Sequence, residues 1–188
     1  MDFQKDIKAC TQVLQEGGLI LYPTDTVWGI GCDATNATAV QKVYALKQRE
    51  DSKALVCLVN NQAMLGRHVA QVTEVAYDIM ALATKPTTIV YVQAMGVAKN
   101  LVAGDGSLAI RVASDKFCQY LIGNFKKPLV STSANISGHA TPKNFSEIEK
   151  AILDGVDYIV NLQRTIQNAT PSSILKLGND GTVKVIRE

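Results

Sequence analysis

A chain of 188 residues, 47% hydrophobic and 19% charged, has the length and composition of one globular domain, and the whole of 1–188 is expected to form it. No apolar run approaches the ~20 residues that cross a bilayer, and the polar start Met1-Asp2-Phe3-Gln4-Lys5-Asp6 has no apolar region behind a basic one, which excludes a membrane protein and a secreted one and leaves the cytoplasm as the expected location. A net charge of +2 and a sequence pI near 8.3 neither demand nor exclude nucleic acid.

The elements follow from periodicity and punctuation. Phe3, Ile7, Cys10, Val13 and Leu14 recur at helical spacing until Gly17-Gly18 ends the run. Leu19 to Tyr22 reads as a buried strand, Pro23 to Gly29 as the loop leaving it, and residues 29 to 33 as a return into the sheet. Asn36 can cap a helix that turns Val40, Val43, Tyr44 and Leu46 inward and delivers Lys47 at its end, ahead of a strand at Leu55 to Val59. Val72, Val75, Ile79 and Leu82 form the stripe of a longer helix, which Pro86 blocks before a strand at Thr88 to Val92. Leu108 to Val112 is a strand, Asp115 caps a helix through Phe125, and Leu129 to Thr132 is a further strand running into a polar loop. Ser146-Glu147-Ile148-Glu149 reads as a capping box for a helix ending near Gly155, and Tyr158 to Asn161 as a strand. Gly178 to Gly181 then joins Ser173–Leu177 to Thr182–Arg187 as a hairpin. The class is mixed α/β, and the C-terminal antiparallel pair argues against a purely parallel sheet.

Chemistry is sought in three polar stretches beside apolar strands. Lys47, Arg49 and Lys53 put three cations into seven residues; cations at a helix end are ordinary, an anion site is the other reading, and the stretch alone does not decide. Ser131 to Gly138 offers four hydroxyls and an amide in eight residues, as suits either phosphate or carboxylate oxygens or a plain turn. Gly104-Asp105-Gly106-Ser107 can make one tight phosphate-facing turn, a weak signal without a Walker A or G-x-G-x-x-G pattern. Ser133 lacks the G-x-S-x-G setting of a hydrolase nucleophile. Cys10, Cys32, Cys57 and Cys118 stand singly in apolar contexts and read as core residues, and with His68 and His139 they give no metal-ligand spacing.

Read together, the stretches resemble the YrdC family. Pro23-Thr24-Asp25-Thr26-Val27-Trp28-Gly29-Ile30-Gly31 looks like its P-T-[DE]-T-V-[YW]-G-[LI]-G, Lys47-x-Arg49 like its K-x-R and Ser133-x-Asn135 like its S-x-N. Leu108 to Val112, Pro171-Ser172-Ser173 and Val185-Ile186-Arg187 are further matches, so the likeness runs over nearly the whole chain.

The resemblance implies a twisted, mixed parallel and antiparallel sheet with flanking helices and a concave positive cleft. It implies an enzyme, a nucleotidyltransferase that joins L-threonine, bicarbonate and ATP into L-threonylcarbamoyladenylate and pyrophosphate, with Mg²⁺ carried by the nucleotide. The product would pass to a downstream threonylcarbamoyl-transferase complex for modification of adenosine 37 in tRNA. By position, Lys47, Arg49, Ser133 and Asn135 would form the reactive centre. Thr26, Arg111, Ser131 and Ser172 would hold threonine, while Lys53, Ser107, Thr141 and Arg187, with Arg49 and Ser133, would line the nucleotide side. An RNA-binding or ribosome-associated factor on the same scaffold, contacting tRNA or double-stranded RNA without turnover, is the alternative reading. Lys47 and Arg49 are expected to serve activity and not the fold.

Three departures from the family pattern stand out. Glu50 replaces the usual Pro after K-x-R, Ala83 to Thr88 replace W-P-G-P-[LV]-T on an expected cleft wall, and Leu58 stands where many relatives place His.

Overall fold

The computed structural model describes residues 3–49, 55–167, 170–178 and 180–188. In it α1 spans Gln4–Gln15 and buries Cys10 and Leu14. It stops where Gly17 takes a φ of +72°, a left-handed conformation that glycine adopts without a Cβ clash. β1 (Ile20–Tyr22) and β2 (Gly29–Asp33) follow, with every residue of both buried. Their antiparallel pairing requires glycine at position 31, because a Cβ there would stand 2.6 Å from Tyr22 Cε1. α2 (Ala37–Leu46) starts at Asn36, whose side chain accepts from the Thr38 and Ala39 N–H groups, and it ends on Lys47.

β3 (Val56–Val59) leads to α3 (Gln62–His68), capped by Asn61. Seven residues are too few to show an amphipathic repeat, so periodicity gives no sign of α3. In α4 (Glu74–Leu82) the expected stripe is displaced: Ala76 is the buried residue, Val72 precedes the helix, and Leu82 is 79% exposed. β4 (Thr87–Tyr91), β5 (Leu108–Val112), α5 (Lys116–Phe125) and β6 (Leu129–Ser133) come next. The capping box at Ser146 does not form. Asn144 takes the extended conformation and caps a 3₁₀ turn at Phe145–Glu147, and the Ser146 hydroxyl donates to Asn144 Oδ1 at 2.7 Å. α6 is therefore short, Lys150–Asp154. β7 (Tyr158–Ile159), β8 (Ser173–Leu177) and β9 (Val183–Arg187) complete the described elements.

The strands form one sheet in the order β7-β1-β2-β6-β3-β5-β4-β8-β9. The pairs β1/β7, β3/β5 and β4/β8 are parallel and the other five are antiparallel. The mixed sheet agrees with the class expected from the hairpin. α1 and α5 pack together, with the Phe3 ring edge-on to Phe117 at 5.8 Å, and Tyr22, Tyr44 and Phe117 are among the largest fully buried side chains. All four cysteines are buried free thiols. No helix among the described residues is long and apolar enough to cross a membrane.

Candidate functional site: an arginine and hydroxyl cleft

The cleft begins with register. β6 lies between β2 and β3, with Ser131 opposite Gly31 on one side and Val56 on the other, and Ser133 opposite Gly29. Side chains two apart on a strand share a face, so Ser131 and Ser133 point together. The next strand of the constellation is β5, which brings Arg111 into line with Leu58 of β3.

Arg187 reaches the same place through a bulge. β8 and β9 pair Leu175 with Val185 but Ile174 with Arg187, so one extra residue sits on β9. Without it Arg187 would lie opposite Ser173 and face the other side of the sheet; a bulge of this kind re-aims the side chain that follows. The Arg187 guanidinium then donates to the Ser172 carbonyl from Nε at 3.0 Å and Nη2 at 2.7 Å. Ser172 Oγ is 2.8 Å from the buried Thr88 Oγ1.

The resulting cleft encloses about 780 Å³, including space open to solvent. Eight of the residues expected to act line it: Thr26, Arg49, Arg111, Ser131, Ser133, Thr141, Ser172 and Arg187. Its described lining holds three guanidiniums and no carboxylate. Burial lowers the pKa of Arg49 and of Arg187, and for Arg187 the nearby Arg111 adds to the effect. These guanidiniums remain charged at neutral pH, so the cost of crowding them is relieved when an anion enters between them.

Thr24, at the start of the β1–β2 loop, also lines the cleft. Its hydroxyl donates to Val27 O at 2.8 Å and lies 3.0 Å from Thr26 Oγ1, which receives Arg111 Nη1 at 3.3 Å. The direction follows: Arg111 donates to Thr26, Thr26 to Thr24, and Thr24 to the backbone. Thr26 thus faces the cleft as an acceptor.

Lys47 and Asn135 are brought together with Ser133, but neither lines the cleft. Lys47 is 1% exposed, and its ammonium donates to Ser133 O at 2.5 Å and Asn135 O at 2.6 Å. Its own carbonyl accepts from Ser137 N at 2.8 Å. Burial, with a smaller push from Arg49, brings its pKa down to about 8. Asn135 donates through Nδ2 to Ile136 O and His139 O. The geometry makes Lys47 a latch between the end of α2 and the loop after β6.

Ser107 is not brought to the cleft. Asp105 accepts its N–H at 3.0 Å and its hydroxyl at 2.5 Å, while Lys176 donates to the other Asp105 oxygen at 2.8 Å. The turn faces a carboxylate, which repels phosphate. Lys53 and Glu50 lie outside the described residues. Leu58 is fully buried and does not line the cleft, whereas Val56, two residues earlier on β3, does. Residues 83–87 line a separate depression together with Asp25 and Ser114, and Thr88 reaches the cleft only through its contact with Ser172. Asp25 is the residue that motif reading passed over: it pairs with Arg111 at 3.0 Å, and the signal was its place between two threonines of the first loop.

The fold and this lining define a mixed α/β-sheet protein with a cationic, hydroxyl-rich cleft at its strand ends. The chain belongs to the Sua5/YciO/YrdC family, whose model, described as telomere recombination, matches residues 12–188. It is 34% identical over 180 residues to a threonylcarbamoyl-AMP synthase of Pseudoalteromonas translucida, covering 93% of this chain and 94% of that protein. Among solved structures, E. coli YciO superposes with a TM-score of 0.84 at 24% identity over 98% of this chain and 89% of that one. P. abyssi Sua5 in complex with L-threonine gives 0.84 at 22% identity over 97% of this chain. The chain spans 54% of the length of that Sua5, so the likeness there is one of fold over about half of it.

Proposed function

We propose that the chain is an L-threonylcarbamoyladenylate synthase, a nucleotidyltransferase that uses L-threonine, bicarbonate and ATP and releases pyrophosphate. The observation that carries the reading is the convergence of Arg49, Arg111 and Arg187 with the hydroxyls of Thr26, Ser131, Ser133, Thr141 and Ser172 in one cleft. The names of the curated relatives support the same reading over an RNA-binding factor.

Three anions must meet in this reaction, and their mutual repulsion is the first barrier. Arg111 receives the threonine carboxylate, with Ser131 and Ser172 completing its hydrogen bonds, and Thr26 Oγ1 accepts a hydrogen bond from the amino acid. Arg49, Ser133, Thr141 and Arg187 hold the phosphates, with Lys47 and Asn135 fixing the Ser133 loop from behind. Lys53, on the segment after Arg49, would extend this side. The amine attacks the bicarbonate carbon and water leaves, giving a carbamate. A carbamate oxygen then attacks the α-phosphorus, and the bond to the β-phosphate breaks with pyrophosphate as leaving group. Magnesium enters with the triphosphate as part of the substrate and spreads the charge that develops on it. The protein's contribution is position and fixed positive charge. The adenylate would then pass to the transferase complex that modifies tRNA in the cytoplasm.

Pyrophosphate release from ATP is expected to require both threonine and bicarbonate, and coupled phosphate detection with each omitted in turn checks this. Release that ignores threonine contradicts the reading.

A further inference from the structure

Asp25 lies just outside the cleft. Its carboxylate is 8% exposed and touches the equally buried Arg111 through Oδ1, at 3.0 Å from Nη2. Its other oxygen, Oδ2, accepts the Ser114 hydroxyl at 2.7 Å and the Ser114 N–H at 3.2 Å. Arg111 Nη1 also donates to Thr26 Oγ1 at 3.3 Å, so the guanidinium has an ion pair at one terminal nitrogen and a hydrogen bond at the other. Asp25 does not line the cleft, while Arg111 does. The carboxylate therefore meets the arginine from outside the cleft lining, and Ser114, just ahead of α5, in turn holds the carboxylate.

We propose that Asp25 is a positioning residue which, through Arg111, sets the affinity for the carboxylate of the amino-acid substrate; this rests on the synthase reading above. A buried guanidinium held at a fixed angle presents a fork that matches a carboxylate, and one free to turn does not. The charge of Asp25 acts in the opposite sense, because it weakens the positive field that Arg111, Arg187 and Arg49 exert together. The two effects give opposite signs on removal. Loss of the charge alone tightens the binding of every anion in the cleft, whereas loss of positioning weakens the one that Arg111 grips.

Calorimetric binding of L-threonine and of L-threonine amide, with steady-state KM values for threonine and ATP, separates them in the full chain. Asp25→Asn is expected to weaken threonine binding and raise its KM by about tenfold, with the KM for ATP unchanged or lower. The amide, which has no carboxylate, is expected to bind wild type and variant alike. Ser114→Ala, at an exposed position, is expected to shift threonine by about threefold in the same direction without threatening the fold. Threonine affinity that is unchanged or tighter in both variants overturns the proposal, as does an equal loss for threonine and its amide. Should Asp25→Asn fail to fold, the Ser114→Ala result decides alone. Wild-type protein that neither binds threonine nor releases pyrophosphate overturns the synthase reading itself, and the proposal with it.

Discussion

Arg49→Ala is expected to lower turnover by about 10²- to 10³-fold while moving stability by no more than about 1 kcal/mol. Its guanidinium faces the cleft at the point where α2 has ended, and its backbone N–H closes that helix on Tyr44 O whatever the side chain is. The end of α2 therefore does not depend on the Arg49 side chain, which lines the cleft. Arg49→Lys keeps the charge and loses the planar fork, so about a tenfold loss is expected from it. If Arg49 holds charge that grows as the α-phosphorus is attacked, kcat carries the loss; if it only binds ATP, KM does. Steady-state kinetics with melting curves on both variants reads this directly.

Lys47→Met is expected to do something different, costing about 2–4 kcal/mol of stability and at least tenfold in turnover. The ammonium is the shared donor of two carbonyls, Ser133 O and Asn135 O, and Met fills the space without replacing either bond. The loop after β6 is then held less firmly, and Ser133 with it. The pH dependence carries a signature. The folded pKa of Lys47, about 8, lies below its ordinary value of 10.5, so between these limits the unfolded chain binds the extra proton and this group's contribution to stability rises with pH. The buried thiols and Tyr22, whose pKa values burial raises, act in the other direction in both proteins. The difference isolates Lys47: the stability gap between wild type and Lys47→Met is expected to widen between about pH 7 and about pH 10 in denaturant titrations.

The contrast between these neighbours marks what sequence can and cannot show. Lys47 and Arg49 share one short motif and look alike there, yet one is a buried latch and the other lines the cleft, a distinction that depends on β6 arriving from 86 residues away. β5 and α5 were legible to their ends, because Asp115 caps α5 and the run of β5 is apolar but for Arg111. The Ser146 capping box was not, because Asn144 two residues earlier takes the capping position and ties up the serine hydroxyl. Ser107 lies outside the cleft lining for a related reason, as its turn closes on Asp105. The eight lining residues came from motif resemblance and not from periodicity. The bulge that turns Arg187 into the cleft is one residue in a hairpin whose apolar pattern reads equally well without it.

Asp25 shows the same limit from the other side. A lone acid in a loop offers no pattern to read until Ser114 and Arg111, both more than eighty residues away in sequence, close on its two oxygens.

The most direct test of the account is mass identification of the product made by the purified chain from ATP, L-threonine and ¹³C-bicarbonate. The expected product is a threonylcarbamoyl adenylate that carries the heavy carbon in its carbamoyl group, formed in step with pyrophosphate and absent when threonine is left out. ATP consumed with no adenylate, or an adenylate that lacks the heavy carbon, would contradict it.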